Sequence, residues 1–272
     1  MKGISCMEPR ISYLICATPR CGGYLLFEAL ENTSLAGKPG EYFWEDERWA
    51  TEWGATDYTD FLDKVKQKST TSNGVFGTKL MWGYFDKFMN KALQLPRFKD
   101  RSVSPDVVLN ELFPNLHYIW IMRRDKVRQA VSLWKGLQTL VWWKRSGDPI
   151  PKLDKPPEYS FEAIDYFVQE IVFHEAAWQT YFTQYDLTPF TVIYEDFAPA
   201  YEETALRIMN WLEIAYPENL VFGPRHLQKQ ADSVSEEWVE KYRVDKQERE
   251  RAKERYSPFP ITSWNFKTPD IS

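Results

Sequence analysis

Three cations in this sequence, Arg20, Lys79 and Arg124, each follow a short apolar run, and a hydroxyl (Ser132) and a displayed carboxylate (Glu41) accompany them. Guanidinium and ammonium groups suit phosphate or sulfate, and a carboxylate suits removal of a proton from a hydroxyl. The densest block is Ser12 to Leu30, SYLICATPRCGGYLLFEAL. It reads as a buried strand, a glycine-bearing loop and a helix. Such a loop leaves backbone N–H groups unpaired at the helix start, where an anion can sit. Gly22 and Gly23 remove Cβ atoms that would block close approach, and Arg20 adds its fork. Cys21 and Tyr24 complete the loop. Neither GxxxxGK[ST] nor GxGxxG is present, so this is not a Walker loop or a dinucleotide fingerprint. The bland alternative is an ordinary βα turn.

A second block lies about a hundred residues on, LHYIWIMRRDKVRQAVSLWKG from Leu116 to Gly136. Tyr118 to Met122 reads as another central strand, with Arg123, Arg124 and Asp125 at its end and Asp125 as the N-cap of the next helix. Ligands of open α/β sheets bind beyond the carboxyl ends of the strands, so both loops are expected to face one crevice. Ser132 is eight residues past Arg124, about two helical turns, which would bring its hydroxyl near that arginine. The alternative is a pair of solvated arginines and a tolerated helix serine.

Together these blocks resemble the sulfotransferases, and more closely the bacterial trehalose 2-sulfotransferase-like (Stf-type) family. SYLICATPRCGGYLLFEAL, AGKPGEYF, GVFGTKLMW, RRDKVRQAVSLWKGLQT and KQADSVSEEWVEKYR match its blocks in order, over about residues 11–245. The resemblance implies an α/β fold with a central parallel sheet flanked by helices, the P-loop nucleotide-kinase-like sulfotransferase fold. It implies 3′-phosphoadenosine-5′-phosphosulfate (PAPS) as sulfuryl donor and the 3′,5′-bisphosphate (PAP) as product. The first loop (Arg20, Cys21, Gly22, Gly23, Tyr24) would hold the 5′-phosphosulfate, and Arg124 with Ser132 the 3′-phosphate. Glu41 matches the family's general base, Tyr194 a tyrosine beside the adenine, and Lys229 and Gln230 a late loop closing over the nucleotide. The loop departs from the pattern: family members often carry Ser or Thr where this chain has Cys21, Gly23 and Tyr24. Anion binding would then rest on Arg20 and the main chain, with the Tyr24 hydroxyl in support.

Glu41 follows the turn pair Pro39-Gly40 and is otherwise readable as a surface glutamate. Lys79 is read as a cation that neutralises sulfate charge, the alternative being a lysine snorkelling from the sheet rim. Tyr42, Phe43 and Trp44, with Trp82 and Tyr84, are candidates for an aromatic wall against a sugar face, or for core. Lys38 lies where acceptor selectivity would be built. Trehalose is the family's reference acceptor; another sugar, a glycolipid or another hydroxylated metabolite is equally open. A homodimer is the family's suggestion.

The elements that must position these groups follow from the pattern. The chain has 272 residues, enough for one sulfotransferase domain with a core at about 11–245 and a charged helix and tail at 246–272. Strands alternating with helical stretches predict a parallel sheet. Val75 to Thr78 and Thr191 to Phe197 read as further strands, the latter ending in Tyr194-Glu195-Asp196. DYTDFLDKVKQK reads as an amphipathic helix capped near Thr56 or Asp57, and Ser160 to Tyr185 and Ala200 to Glu213 as covering helices. Gly147 to Tyr159 is proline-rich and reads as a surface loop, a lid or a subunit contact. The tail with Trp264 and Phe266 is expected to dock on the body.

A net charge of −5 argues against non-specific nucleic-acid binding while allowing a local basic crevice. The three cysteines, Cys6, Cys16 and Cys21, form no disulfide framework, and a reducing compartment fits. The longest apolar runs are strand-length and MKGISCMEPR lacks a signal-peptide core, so a cytoplasmic protein without a membrane span is expected. His117, His174 and His226 have no ligand spacing, so no metal is expected. Two rival readings stay open: an ATP-dependent P-loop transferase, against which the missing Walker lysine speaks, and a non-catalytic relative that binds a nucleotide or glycan.

Overall fold

The computed structural model describes residues 8–145, 147–148, 153, 155–228 and 230–256. Lys229, the aromatic tail and part of the proline-rich loop lie outside the described residues.

Among the described residues four strands form one sheet: β1 (Ile11–Ala17), β2 (Val75–Met81), β3 (Leu116–Met122) and β4 (Phe190–Ile193). Their order is β2-β1-β3-β4, and every pairing is parallel. The α/β architecture expected from the alternation is the one observed. All seven residues of β1 are buried, as a central parallel strand covered on both faces requires. The chain leaves β1 to one side for β2, then crosses back to the other side for β3. The carboxyl ends of β1 and β3 therefore flank the topological switch point, where such sheets open a crevice.

Among the described residues ten helices surround the sheet: α1 (Gly23–Glu31), α2 (Asp46–Glu52), α3 (Tyr58–Ser69), α4 (Phe85–Leu93), α5 (Pro105–Leu112), α6 (Lys126–Thr139), α7 (Phe161–Gln184), α8 (Tyr194–Phe197), α9 (Tyr201–Trp211) and α10 (Ser233–Tyr256). Side chains sort by the strand period of two. Leu14, Cys16, Phe76, Leu80, Tyr118 and Trp120 face one core with α3, α4, α5 and α7. Tyr13, Ile15, Ala17, Ile119 and Ile121 face the other with α1 and α9. Phe61, Phe76, Phe88, Phe113 and Trp178 are fully buried, each contributing about 1.5–3 kcal/mol of transfer free energy.

Caps read from the sequence are present. Asp57 accepts from the Asp60 N–H at the start of α3, and Asp125 from Arg128 N–H at the start of α6. One element differs: Thr191 to Phe197 is not one strand. It is β4 followed directly by the single helical turn α8, because the chain leaves the sheet edge at Tyr194.

Two close approaches fix the loop that carries Glu41. Tyr13 crosses the neighbouring strand to donate to Ala36 O at 2.6 Å, and a Cβ at Gly77 would lie 2.2 Å from its ring. Further along, Lys79 N–H donates to Gly40 O at 2.9 Å. The loop is thus clamped along β2 and delivers Glu41 beside Lys79.

Candidate active site

The crevice is built first from the turn between β1 and α1. Arg20 has φ 63° and Gly22 has φ 99°, so the chain makes two left-handed steps before the helix. For Gly22 the conformation is cheap, and the space is taken: a Cβ there would lie 2.4 Å from the Tyr194 ring. No side chain caps α1, so the N–H groups of its first turn have no side-chain acceptor at the cap. The Arg20 guanidinium spreads over three elements. Its Nε donates to Ser132 Oγ on α6 at 3.0 Å, and its terminal nitrogens donate to Trp142 O and to Gln230 Oε1. All three partners are neutral, and burial, then the neighbouring Arg123, hold the Arg20 pKa below its ordinary value. A part-buried guanidinium with neutral partners and a second cation nearby favours an anion in electrostatic terms.

Next to it stands the carboxylate. Glu41 Oε2 lies 2.5 Å from Lys79 Nζ, with side-chain exposures of 10% and 5%. The Tyr24 hydroxyl donates to the same oxygen at 3.1 Å, and the Tyr84 hydroxyl to Oε1 at 2.9 Å. Burial first, then Glu41, pushes both phenols well above the ordinary tyrosine range. Lys79 Nζ also sits 4.7 Å from the Tyr24 ring centre and 3.7 Å from where a Gly23 Cβ would be. The amine therefore lies against the start of α1. Carboxylate, amine and the turn into α1 come together, as acid–base work on a group bound by that turn would need.

Arg20, Glu41, Lys79, Ser132, Gly22, Gly23, Tyr24, Tyr194 and Gln230 are brought together; other expected residues are not. Arg124 points outward and pairs with Asp196, its side chain 58% exposed, while Ser132 bonds to Arg20. The expected pairing of Arg124 with Ser132 is thus corrected. Arg123 takes the inward place: its guanidinium lies over the Tyr194 ring at 5.0 Å, and its Nε, which makes no hydrogen bond among the described residues, pairs with Glu195 Oε1 at 3.7 Å. Glu195 secures this turn by accepting from Arg124 N–H at 2.9 Å. Cys21 is fully buried and its thiol is raised by burial, so it packs beneath the loop and turns no side chain to a ligand.

The aromatic wall divides. Phe43 is in the core, stacked edge-on against Phe88, and Tyr42 packs on Trp49 and Trp53. Trp82 stacks on Phe85 at the foot of α4. Lys38 is exposed beside the start of β2, its N–H bonded to Ser69 O, away from the strand ends. These four do not face Glu41, because their rings or backbone complete the packing of α2, α3 and α4. Trp44 and Trp143 are 60% and 46% exposed, and pack on the two tyrosines bonded to Glu41, Tyr84 and Tyr24, at 6.0 and 5.3 Å. Trp142 and Trp143 were not singled out by sequence reading; they follow a left-handed residue, Leu140 (φ 55°), that turns the chain back after α6.

If Arg123 is the second cation of the anion site, Arg123→Ala weakens binding of PAP by about tenfold or more, the worth of one charge-assisted hydrogen bond. Arg124→Ala, which removes an exposed ion pair, changes it less than threefold. Calorimetric titration of both variants decides it; the reverse order returns the site to Arg124.

Among the described residues no cluster of three or more His, Cys, Asp or Glu side chains could hold a metal ion, and no helix is long and apolar enough to cross a membrane. The sequence model of the Stf0 sulphotransferase family matches residues 12–245. Two curated relatives align along most of their length. The trehalose 2-sulfotransferase of Mycobacterium tuberculosis (strain ATCC 35801 / TMC 107 / Erdman) is 32% identical over 266 residues, 86% of this chain and 94% of that protein. The trehalose 2-sulfotransferase of Mycolicibacterium smegmatis (strain ATCC 700084 / mc(2)155) is 32% identical over 269 residues, 87% and 96% of the two chains.

Proposed function

The chain belongs to the Stf0 sulphotransferase family, and from that membership we propose that it moves a sulfuryl group from PAPS to a hydroxyl of a carbohydrate or glycolipid, with trehalose the first acceptor to try. The observation that carries this reading is the Glu41–Lys79 pair, 2.5 Å apart at the edge of an anion-binding loop. The residues fit the donor. The turn into α1 has no side-chain cap, Arg20 offers a fork held only by neutral oxygens, and Arg123 Nε makes no hydrogen bond among the described residues, with Glu195 Oε1 standing 3.7 Å from it.

In the proposed reaction the acceptor oxygen forms a bond to sulfur as the bond from sulfur to the 5′-phosphate oxygen of PAPS breaks. The hydroxyl proton passes to Glu41, and PAP leaves with the electron pair. Lys79 and Arg20 balance charge on the moving group and the leaving phosphate, the main contribution expected of a protein in transfer of this kind. Of the expected aromatic wall Trp44 is kept, and with Trp143 in place of Tyr42, Phe43 and Trp82 it offers the faces against which sugar C–H groups pack.

The test is titration with PAP, ADP and ATP, followed by incubation with PAPS and trehalose and mass analysis of the sugar. Preferential PAP binding and a sulfated disaccharide support the reading. Equal affinity for ADP, or magnesium-dependent use of ATP, removes it.

A further inference from the structure

Glu41 is nine-tenths buried, and its charge is held by three donors of two kinds. Lys79 is a cation that the proposed reaction needs elsewhere. In the structure its amine is committed to Glu41, yet it lies against the start of α1, where a bound sulfuryl group would compete for it. A carboxylate that lost its only partner at this depth would be strongly disfavoured. Here it has two others. Tyr24 from α1 binds one oxygen, and Tyr84, from the short turn after β2, binds the other.

We propose that Tyr24 and Tyr84 are the positioning residues of Glu41, holding its carboxylate in one plane and keeping it paired when Lys79 turns to the transferred group. The inference rests on the reading of Glu41 as the base. Phenols suit this task because they satisfy a carboxylate without neutralising it. Their raised pKa keeps them protonated, and so donating, at any working pH. Counting acceptor sites adds a direction. A carboxylate offers about four lone-pair positions; Oε2 uses two, on Lys79 and Tyr24, and Oε1 uses one, on Tyr84. The open position on Oε1 is where an acceptor hydroxyl would deliver its proton, on the side where the exposed Trp44 ring packs on Tyr84.

Both rings are fixed by packing and not by their hydroxyls. Tyr24 lies against Phe27 and Trp143, and Tyr84 is 5% exposed. Tyr24 also explains a peculiarity of the loop. A short hydroxyl at that place would face the anion, whereas the long phenol reaches past it to Glu41.

The groups facing Glu41 are Lys79 from β2, Tyr24 from α1 and Tyr84, with Arg20 and Glu45 acting on Tyr24. The experiment uses Tyr24→Phe, Tyr84→Phe and the double variant, which keep the rings. With PAPS and trehalose, kcat falls about tenfold in each single variant and about a hundredfold in the double, as for one and two charge-assisted hydrogen bonds. PAP affinity stays within about twofold of wild type. A double variant within about twofold of wild-type kcat overturns the inference, as does a loss of PAP affinity equal to the loss of rate. If the wild-type protein transfers nothing to any sugar, the reading of the reaction fails, and the positioning role is decided without turnover. The crystal structure of the double variant then shows the Glu41 carboxylate turned out of the plane it holds beside Lys79; an unmoved carboxylate overturns the role.

Discussion

Glu41→Gln lowers kcat with PAPS and an acceptor sugar by about 10²–10⁴-fold, the usual worth of a positioned general base, and leaves PAP affinity near wild type. The substitution is close to isosteric. The amide oxygen can still accept from Lys79 and Tyr24, and the Tyr84 hydroxyl can turn to accept from the new amide N–H, so the buried contacts of Glu41 survive in kind. What is lost is the ability to take a proton. Rate and affinity must therefore separate: kcat falls while the donor site is untouched. A variant that turns over at the wild-type rate removes Glu41 from the chemistry. One that loses PAP affinity in proportion makes it a structural partner of Lys79 and the loop.

Much of this site was readable from residue types. Arg20 and Gly22 stand out in a glycine-bearing loop between strand and helix, whereas Glu41 after Pro39-Gly40 reads equally as a surface glutamate and was singled out by the family resemblance. The choice between Arg123 and Arg124 needed one more step. Side chains of β3 alternate, with Ile119 and Ile121 on the α1 side and Tyr118 and Trp120 on the α7 side. Arg123 continues the first set, toward Tyr194, and Arg124 the second, toward solvent. The strand period carries that information, whereas an eight-residue spacing to Ser132 along the helix does not, since it ignores which face of the sheet the helix leaves from.

The aromatic residues were not readable in the same way. Tyr42, Phe43 and Trp44 are consecutive and chemically alike, yet Phe43 is 1% exposed and Trp44 is 60% exposed. Their fates depend on α2, α3 and α4 folding over the loop, which is long-range packing with no local signature. Trp142 and Trp143 belong to the same class. They reach the site because Leu140 reverses the chain and because Gln228 N–H bonds to Lys144 O, joining two distant segments above Arg20.

Arg20→Ala weakens PAP binding by about a hundredfold or more, and the comparison with Arg20→Lys and Arg20→Gly shows why. The guanidinium is already hydrogen-bonded in the resting protein, to Ser132, Trp142 and Gln230, so an anion gains only the difference between charged and neutral acceptors. With a charge-assisted bond worth about 1.5–3 kcal/mol against about 1 for a neutral one, a two-pronged contact nets about 1–4 kcal/mol, and the loss of long-range attraction adds to it. Arg20→Lys keeps the charge and loses the fork, so its affinity falls between wild type and alanine. Backbone and side chain pull apart at this residue. Arg20 sits at φ 63°, a conformation that costs a residue with a Cβ about 1–2 kcal/mol and glycine nearly nothing. Arg20→Gly should therefore be more stable to urea than Arg20→Ala by about 1 kcal/mol, while binding PAP no better. That pattern would mean the turn holds a strained arginine because the anion needs its side chain. Equal stability of the two variants would show the turn to be unstrained, and PAP affinity unchanged in Arg20→Ala would remove Arg20 from the donor site altogether.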